Sequence, residues 1–134
     1  MAKILIIEDD SVLAEIYQKK LELEGYEVTI AQDGEVGIEK MKTVYPDLVL
    51  LDIMMPKLTG VDVLRICKAD PRTSSIPVVV LSNTYSEQDV KMFLKLGAIG
   101  YILKADSSPS LLTDKVREVL SKGPRLKRSP AQTS

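Results

Sequence analysis

The sequence predicts an α/β fold, a doubly wound five-stranded parallel sheet with helices on both faces, and three observations carry that reading. Ile4-Leu5-Ile6-Ile7, Leu48-Val49-Leu50-Leu51 and Val78-Val79-Val80-Leu81 are short, unbroken apolar runs. They are too short for helices and lack alternation, so they read as strands covered on both faces. Segments with helical spacing separate them. Strand and helix alternate five times, and parallel neighbours need crossover connections, which places helices on both faces of the sheet.

Taken in order, the first apolar run leads into a helix whose Leu13, Ile16, Tyr17 and Leu21 share one face. A weaker strand from Glu27 to Ala31 follows, then a helix marked by Ile38 and Met41. After the second apolar run, Val61 and Leu64 mark a third helix. After the third run, Val90, Phe93 and Leu94 form a shorter stripe, and Ile99 to Leu103 make the last strand. Leu112, Val116, Val119 and Leu120 define the final helix. Gly25, Gly60 and Gly97 fall at helix ends or starts, while Pro46, Pro56, Pro71, Pro77 and Pro109 lie outside helix interiors.

Composition narrows the function classes. A chain of 134 residues suits one domain. Apolar residues make up 45% and Trp is missing, so the core is expected from Ile, Leu and Val. A net charge of −1 argues against a nucleic-acid-binding surface spread over the domain. Cys67 is the single cysteine, which excludes an internal disulfide and suits a reducing, cytoplasmic setting. No apolar run approaches a membrane span, and the start of the chain lacks the long apolar stretch of a signal peptide, so no membrane partner is expected.

In open sheets of this class, function gathers outside the carboxyl ends of the strands. There the sequence places Glu8-Asp9-Asp10, Asp52, Ser82-Asn83 and Lys104. Carboxylates brought together on one rim repel one another unless neutralised. Oxygen ligands favour magnesium or calcium, and a chain with no histidine and one mid-helix cysteine is poorly equipped for zinc. A carboxylate beside such a cation can act as a nucleophile toward a phosphoryl group. Lys104 would add a positive charge and Ser82 a hydroxyl donor.

These residues resemble the receiver domain of two-component response regulators. The resemblance rests on Ile4 to Asp10, on Pro46 to Pro56 with Gly60, on Pro77 to Ser82, and on Gly97-Ala98 leading to Gly100-Tyr101-Ile102-Leu103-Lys104. It spans residues 3 to 121, with the motifs in register at the strand ends. It implies a flavodoxin-like (βα)5 receiver fold with strand order 2-1-3-4-5, and phosphorelay signalling rather than enzyme turnover. It implies that Asp52 is the phosphoacceptor and that Asp9, Glu8 (partly through water), Asp52 and the Met54 backbone carbonyl hold Mg2+, or Mn2+ in its place. It further implies that Ser82 and Lys104 serve the phosphoryl group, and that Ser82 and Tyr101 form the switch. The implied partners are a sensor histidine kinase or histidine phosphotransfer protein and a downstream effector. A phosphorylation-dependent homodimer through the face of the fourth helix, fifth strand and fifth helix is also implied.

Three departures from the family pattern stand out. Ala105 follows Lys104 where the family usually has proline, often cis, and a non-proline cis bond costs about 3 kcal/mol. Asn83 follows Ser82 where a smaller residue is common, and with Met54 it is expected to restrict attacking water and slow phosphoryl loss. Ala105-Asp106-Ser107-Ser108 replaces an apolar continuation, at a partner-binding edge.

Plainer readings compete at each position. Asp10 or Ser11 reads as a helix cap, Cys67 as a small core-facing residue, and Met54-Met55 as loop packing. Tyr101 fits a half-buried strand aromatic as well as a moving switch. A phosphorylation-independent receiver-like interaction module is the alternative function. A small phosphohydrolase using Asp52 is less favoured, because Met54 stands where such enzymes commonly carry a second acid. No G-x-G-x-x-G or P-loop is present. The domain is expected over 1–121. Residues 122–134, with Gly123, Pro124, Pro130 and four basic residues, read as a flexible basic tail or the start of a linker.

Overall fold

A computed structural model describes residues 1–104 and 109–132, with side chains described for 1–104 and 110–122. The elements alternate as β1 (Lys3–Ile7), α1 (Ser11–Leu23), β2 (Glu27–Ala31), α2 (Gly34–Val44), β3 (Leu48–Asp52), α3 (Gly60–Ala69), β4 (Val78–Ser82), α4 (Glu87–Lys95), β5 (Gly100–Leu103) and α5 (Pro109–Gln132). The strands form one parallel sheet in the order β2-β1-β3-β4-β5.

The unbroken apolar runs are explained by the two faces they serve. Leu5, Ile7, Val49, Leu51, Val78 and Val80 pack with Met41, Val63, Leu64, Cys67 and Phe93 from α2, α3 and α4. Their chain neighbours Ile4, Ile6, Leu48, Leu50, Val79 and Leu81 point the other way, onto Ala14, Tyr17 and Leu21 of α1 and Leu112, Val116 and Val119 of α5. Alternation in a strand carries neighbours to opposite faces, so a strand buried twice is apolar throughout. Every residue of β3 and β4 is buried.

Caps set where helices begin beside the carboxyl rim. The Asp10 side chain accepts from the Leu13 amide at 3.1 Å and starts α1, so Asp10 is the helix cap. Thr59 and Asp62 form a reciprocal capping box at α3, and Ser86 caps α4 through the Asp89 amide at 3.3 Å. Gly60 is needed for close approach. A Cβ there would stand 2.5 Å from the Ile53 Cα, so a larger residue would displace the loop that follows Asp52.

Two sequence expectations are corrected. Ile16 is not on the buried face of α1: it is 46% exposed, and Ala14 joins Tyr17 and Leu21 in the core. Spacing of three and four residues marks a stripe, but the sheet's actual position selects Ala14 over Ile16. Leu94 is likewise exposed, leaving Phe93 as the buried anchor of α4. The last helix, α5, runs from Pro109 to Gln132. The Lys104-Ala105 bond and the segment Ala105 to Ser108 lie outside the described residues.

Candidate functional site

The register gathers the polar residues that follow the apolar runs. Ile7 pairs with Leu51, which sets Glu8 beside Asp52 at the ends of β1 and β3. Ser82 pairs with Leu103, and the Lys104 amide donates to the Ser82 carbonyl at 2.7 Å, carrying Lys104 to the same rim. The central strands end together because each helix crossover returns the chain to the same edge of the sheet.

Glu8, Asp52 and Ser82 are 1%, 2% and 1% exposed, which is unusual for acids without partners. Lys104 supplies the partner. Its Nζ lies 2.7 Å from Glu8 Oε1 and 3.1 Å from Asp52 Oδ1. The Met54 amide also donates to Asp52 Oδ1 at 3.1 Å, and the Asp10 amide donates to Glu8 Oε2 at 3.2 Å. Asp9 is exposed at the mouth, with its ligand atom and those of Glu8 and Asp52 all within 4.8 Å of one another.

Electrostatics at this rim are unbalanced. Burial, followed by a hydrogen bond shared with Asp52, raises the Glu8 carboxyl to about 7 against the opposing pull of Lys104. Burial pushes Lys104 downward, but its hydrogen bonds to Glu8 and Asp52 and their charges outweigh that, leaving it above its ordinary value. Three carboxyl groups face one ammonium in a small oxygen-lined space. This donor set fits one hard divalent cation of the magnesium type.

The switch candidates lie next to this cluster. Ser82 Oγ donates to the Thr84 carbonyl at 2.8 Å and accepts from the Thr84 amide at 3.1 Å. The Tyr101 hydroxyl donates to the same Thr84 carbonyl at 2.8 Å. Tyr101 is half-buried, with its ring beside Phe93 at a centroid distance of 6.0 Å. Met54 is 69% exposed and Asn83 is exposed, both flanking residues of the buried core of the site. Met55 is buried as loop packing.

Glu8, Asp9, Asp52, Ser82 and Lys104 come together at this rim, while Tyr101 lies within β5 and reaches toward it through the Thr84 carbonyl; the contacts of Thr84 and Tyr85 were not anticipated. The Thr84 contacts run through its backbone carbonyl, which carries no residue-type signal. The only hint was the shortness of the loop between Ser82 and the α4 cap at Ser86.

A parallel sheet of order 2-1-3-4-5 with this acid-and-lysine rim defines a CheY-like receiver domain, and its solved counterparts agree. The chemotaxis protein CheY4 of Vibrio cholerae superposes with a TM-score of 0.84 at 25% identity, covering 89% of this chain and 98% of that one. A CheY-like receiver domain from Methanospirillum hungatei JF-1 gives 0.84 at 29% identity, covering 93% and 98%.

The family model of the response regulator receiver domain matches residues 4–117, and the chain belongs to that family, which serves two-component signalling. Among curated relatives, the DNA-binding response regulator MtrA of Mycobacterium tuberculosis is 37% identical over 115 residues, 86% of this chain and 49% of that protein. The sensory transduction protein RegX3 of Mycobacterium bovis is 37% identical over 123 residues, 92% and 52% respectively. The chain thus spans about half the length of these relatives. No described helix is long and apolar enough to cross a membrane.

Proposed function

We propose that this chain relays a signal by accepting a phosphoryl group on Asp52 from a sensor histidine kinase or a histidine phosphotransfer protein, in the cytoplasm. The observation that carries this reading is the setting of Asp52. It is a buried carboxylate at a strand end, held by Lys104 and the Met54 amide, with Glu8 and Asp9 within ligand distance.

An Asp52 oxygen forms the new O–P bond as the donor's P–N bond breaks, and the departing imidazole takes up a proton. Lys104 and the Met54 amide fix the carboxylate's orientation before reaction, so little reorganisation is needed when charge shifts onto the phosphoryl oxygens. Asp9, Glu8, Asp52 and the Met54 carbonyl would hold Mg2+, or Mn2+ in its place. When bound, that ion supplies charge neutralisation for the acids and the phosphoryl oxygens.

After transfer, Ser82 turns its hydroxyl from Thr84 toward the new phosphoryl oxygens, and the α4–β5–α5 surface changes through Tyr101. An effector reads that surface, and a homodimer through it is part of this reading. This reading takes 1–121 as the domain proper and 122–134 as a basic tail or the start of a linker.

Intact mass after incubation with acetyl phosphate, with and without magnesium, tests the assignment. A single phosphoryl adduct is expected only with magnesium, labile to hydroxylamine and lost in Asp52→Asn. An adduct retained by Asp52→Asn would move the acceptor elsewhere, and no adduct in wild type under either condition would refute the reading.

A further inference from the structure

The connection from β4 to α4 is four residues long, Asn83-Thr84-Tyr85-Ser86, between Ser82 at the site and the start of α4, which Ser86 caps. Two of its features converge on Tyr101. The Thr84 carbonyl accepts hydrogen bonds from both Ser82 Oγ and the Tyr101 hydroxyl. Tyr85, 63% exposed, meets Tyr101 edge to face, with centroids 6.4 Å apart and planes at 90°. Tyr101 therefore lies between Phe93, which belongs to the core on the α2–α3–α4 side, and Tyr85.

An exposed ring in a short loop gains little from burial, and Tyr101 is the aromatic partner described for it. The edge-to-face arrangement is the one that the aromatic quadrupole favours at this separation. The neighbouring residue, Thr84, fixes the Tyr101 hydroxyl, while Tyr85 holds the ring. Consecutive residues of one loop thus grip both ends of a single side chain.

We propose that Tyr85 is a positioning residue for Tyr101: its ring holds Tyr101 inward before any modification of Asp52 and so presets how strongly the domain responds. The consequence for Asp52 rests on the phosphoacceptor reading above; the grip on Tyr101 does not. When Ser82 leaves the Thr84 carbonyl, Tyr101 becomes the remaining side-chain donor described at that carbonyl, and the ring already lies in place. Less free energy of modification is then spent on moving the aromatic, so affinity at Asp52 rises by the factor that Tyr85 contributes to the inward population.

The test uses the full chain with isotopically labelled tyrosine rings, five in number, the Tyr101 signal being assigned with Tyr101→Phe. Spectra are recorded first without metal or phosphoryl mimic. Tyr85→Phe, which keeps the ring edge, should overlay the wild-type Tyr101 signal. Tyr85→Ala should move it toward the solvent-exposed position, with the outward population rising roughly two- to tenfold. An unchanged Tyr101 signal in Tyr85→Ala, or an equal displacement in Tyr85→Phe, overturns the proposal.

Beryllium fluoride with magnesium then serves as the phosphoryl mimic. Tyr85→Ala should bind it more weakly, by the ratio of the inward populations read from the metal-free spectra, and Tyr85→Phe like wild type. A displaced Tyr101 with unchanged affinity overturns the link to Asp52. Failure of wild type to bind the mimic refutes the phosphoacceptor reading, while the metal-free spectra still decide the role of Tyr85.

Discussion

Two lysines at opposite rims of the sheet meet the same burial problem with different partners. Lys104, after β5, faces the carboxylates of Glu8 and Asp52 at 2.7 and 3.1 Å. Lys68, near the end of α3, donates to the Ser74 and Ile76 carbonyls at 2.9 and 2.8 Å, in the loop that leads into β4. Burial depresses both, but only Lys104 ends above its ordinary value, because ionised partners favour the ammonium more than neutral carbonyls do.

The comparison separates a rim built for chemistry from one built for order. At the Lys68 end, dipoles are matched. Thr73 Oγ1 donates to the Cys67 carbonyl at 2.7 Å, the Cys67 thiol donates to the Thr73 carbonyl at 3.4 Å, and the Lys68 stem would crowd any side chain placed at Gly97. At the Lys104 end, three carboxyl groups face one ammonium, and the proposed phosphoryl-acceptor reading rests on that imbalance.

The largest expected effect sharpens that imbalance. With Glu8 raised from 4.5 to about 7, the folded chain binds more protons than the unfolded one between those values. Stability from this group is fully present below the unfolded value and falls as pH rises through about 7, by something on the order of 3 kcal/mol. Urea titrations of metal-free protein across this range should show the fall, and Glu8→Gln should remove it. A flat profile in wild type would mean that Lys104 alone balances the acids.

Next in size is the ordered rim. Lys68→Ala leaves two carbonyls without their ammonium donor and should cost about 2–3 kcal/mol of stability. Acceptance of a phosphoryl group at Asp52 should persist under conditions where the variant stays folded. Parallel measurements of stability and adduct yield check this, and loss of the adduct in folded Lys68→Ala would break the separation between the rims.

A smaller change is expected at the mouth of the site. Asn83→Ala opens the approach to Asp52 beside exposed Met54, and should shorten the phosphoryl lifetime by up to about tenfold, the equivalent of 1.4 kcal/mol in barrier. An unchanged dephosphorylation rate would remove Asn83 from that role.

The smallest effect lies on the far surface. A side-chain hydrogen bond from Arg72 holds the Asp70 carboxyl down at about 2, aided by the Arg72 amide. Its contribution is present above the unfolded value of 3.8 and is lost as pH falls through about 2. In Arg72→Ala, the Asp70 titration followed by NMR should move back toward 3.8, and salt should weaken the wild-type depression. An Asp70 titration unmoved in Arg72→Ala would assign the depression to other groups.

Much of the site was legible because its residues follow apolar runs directly. Glu8, Asp52, Ser82 and Lys104 each follow or end a strand, and parallel strands that end on one edge bring such positions together. Lys68 carried no such mark. Its partners are carbonyls six and eight residues away, and any residue type supplies a carbonyl. Ile16 was misplaced for a related reason: periodicity defines a stripe on a helix, and the neighbouring sheet chooses which edge of that stripe is covered.

By itself the sequence determined the alternation of strands and helices, the double burial of β3 and β4, and the acids and lysine at their ends. These are set by local pattern: apolar runs, caps and turn residues act over a few positions along the chain. Tertiary structure alone decided that Lys104 bridges Glu8 and Asp52, that Ser82 and Tyr101 share the Thr84 carbonyl, and that Tyr85 covers Tyr101. Those contacts join residues far apart in the chain or use backbone atoms common to all residues, so they exist only once strand register and loop path are fixed.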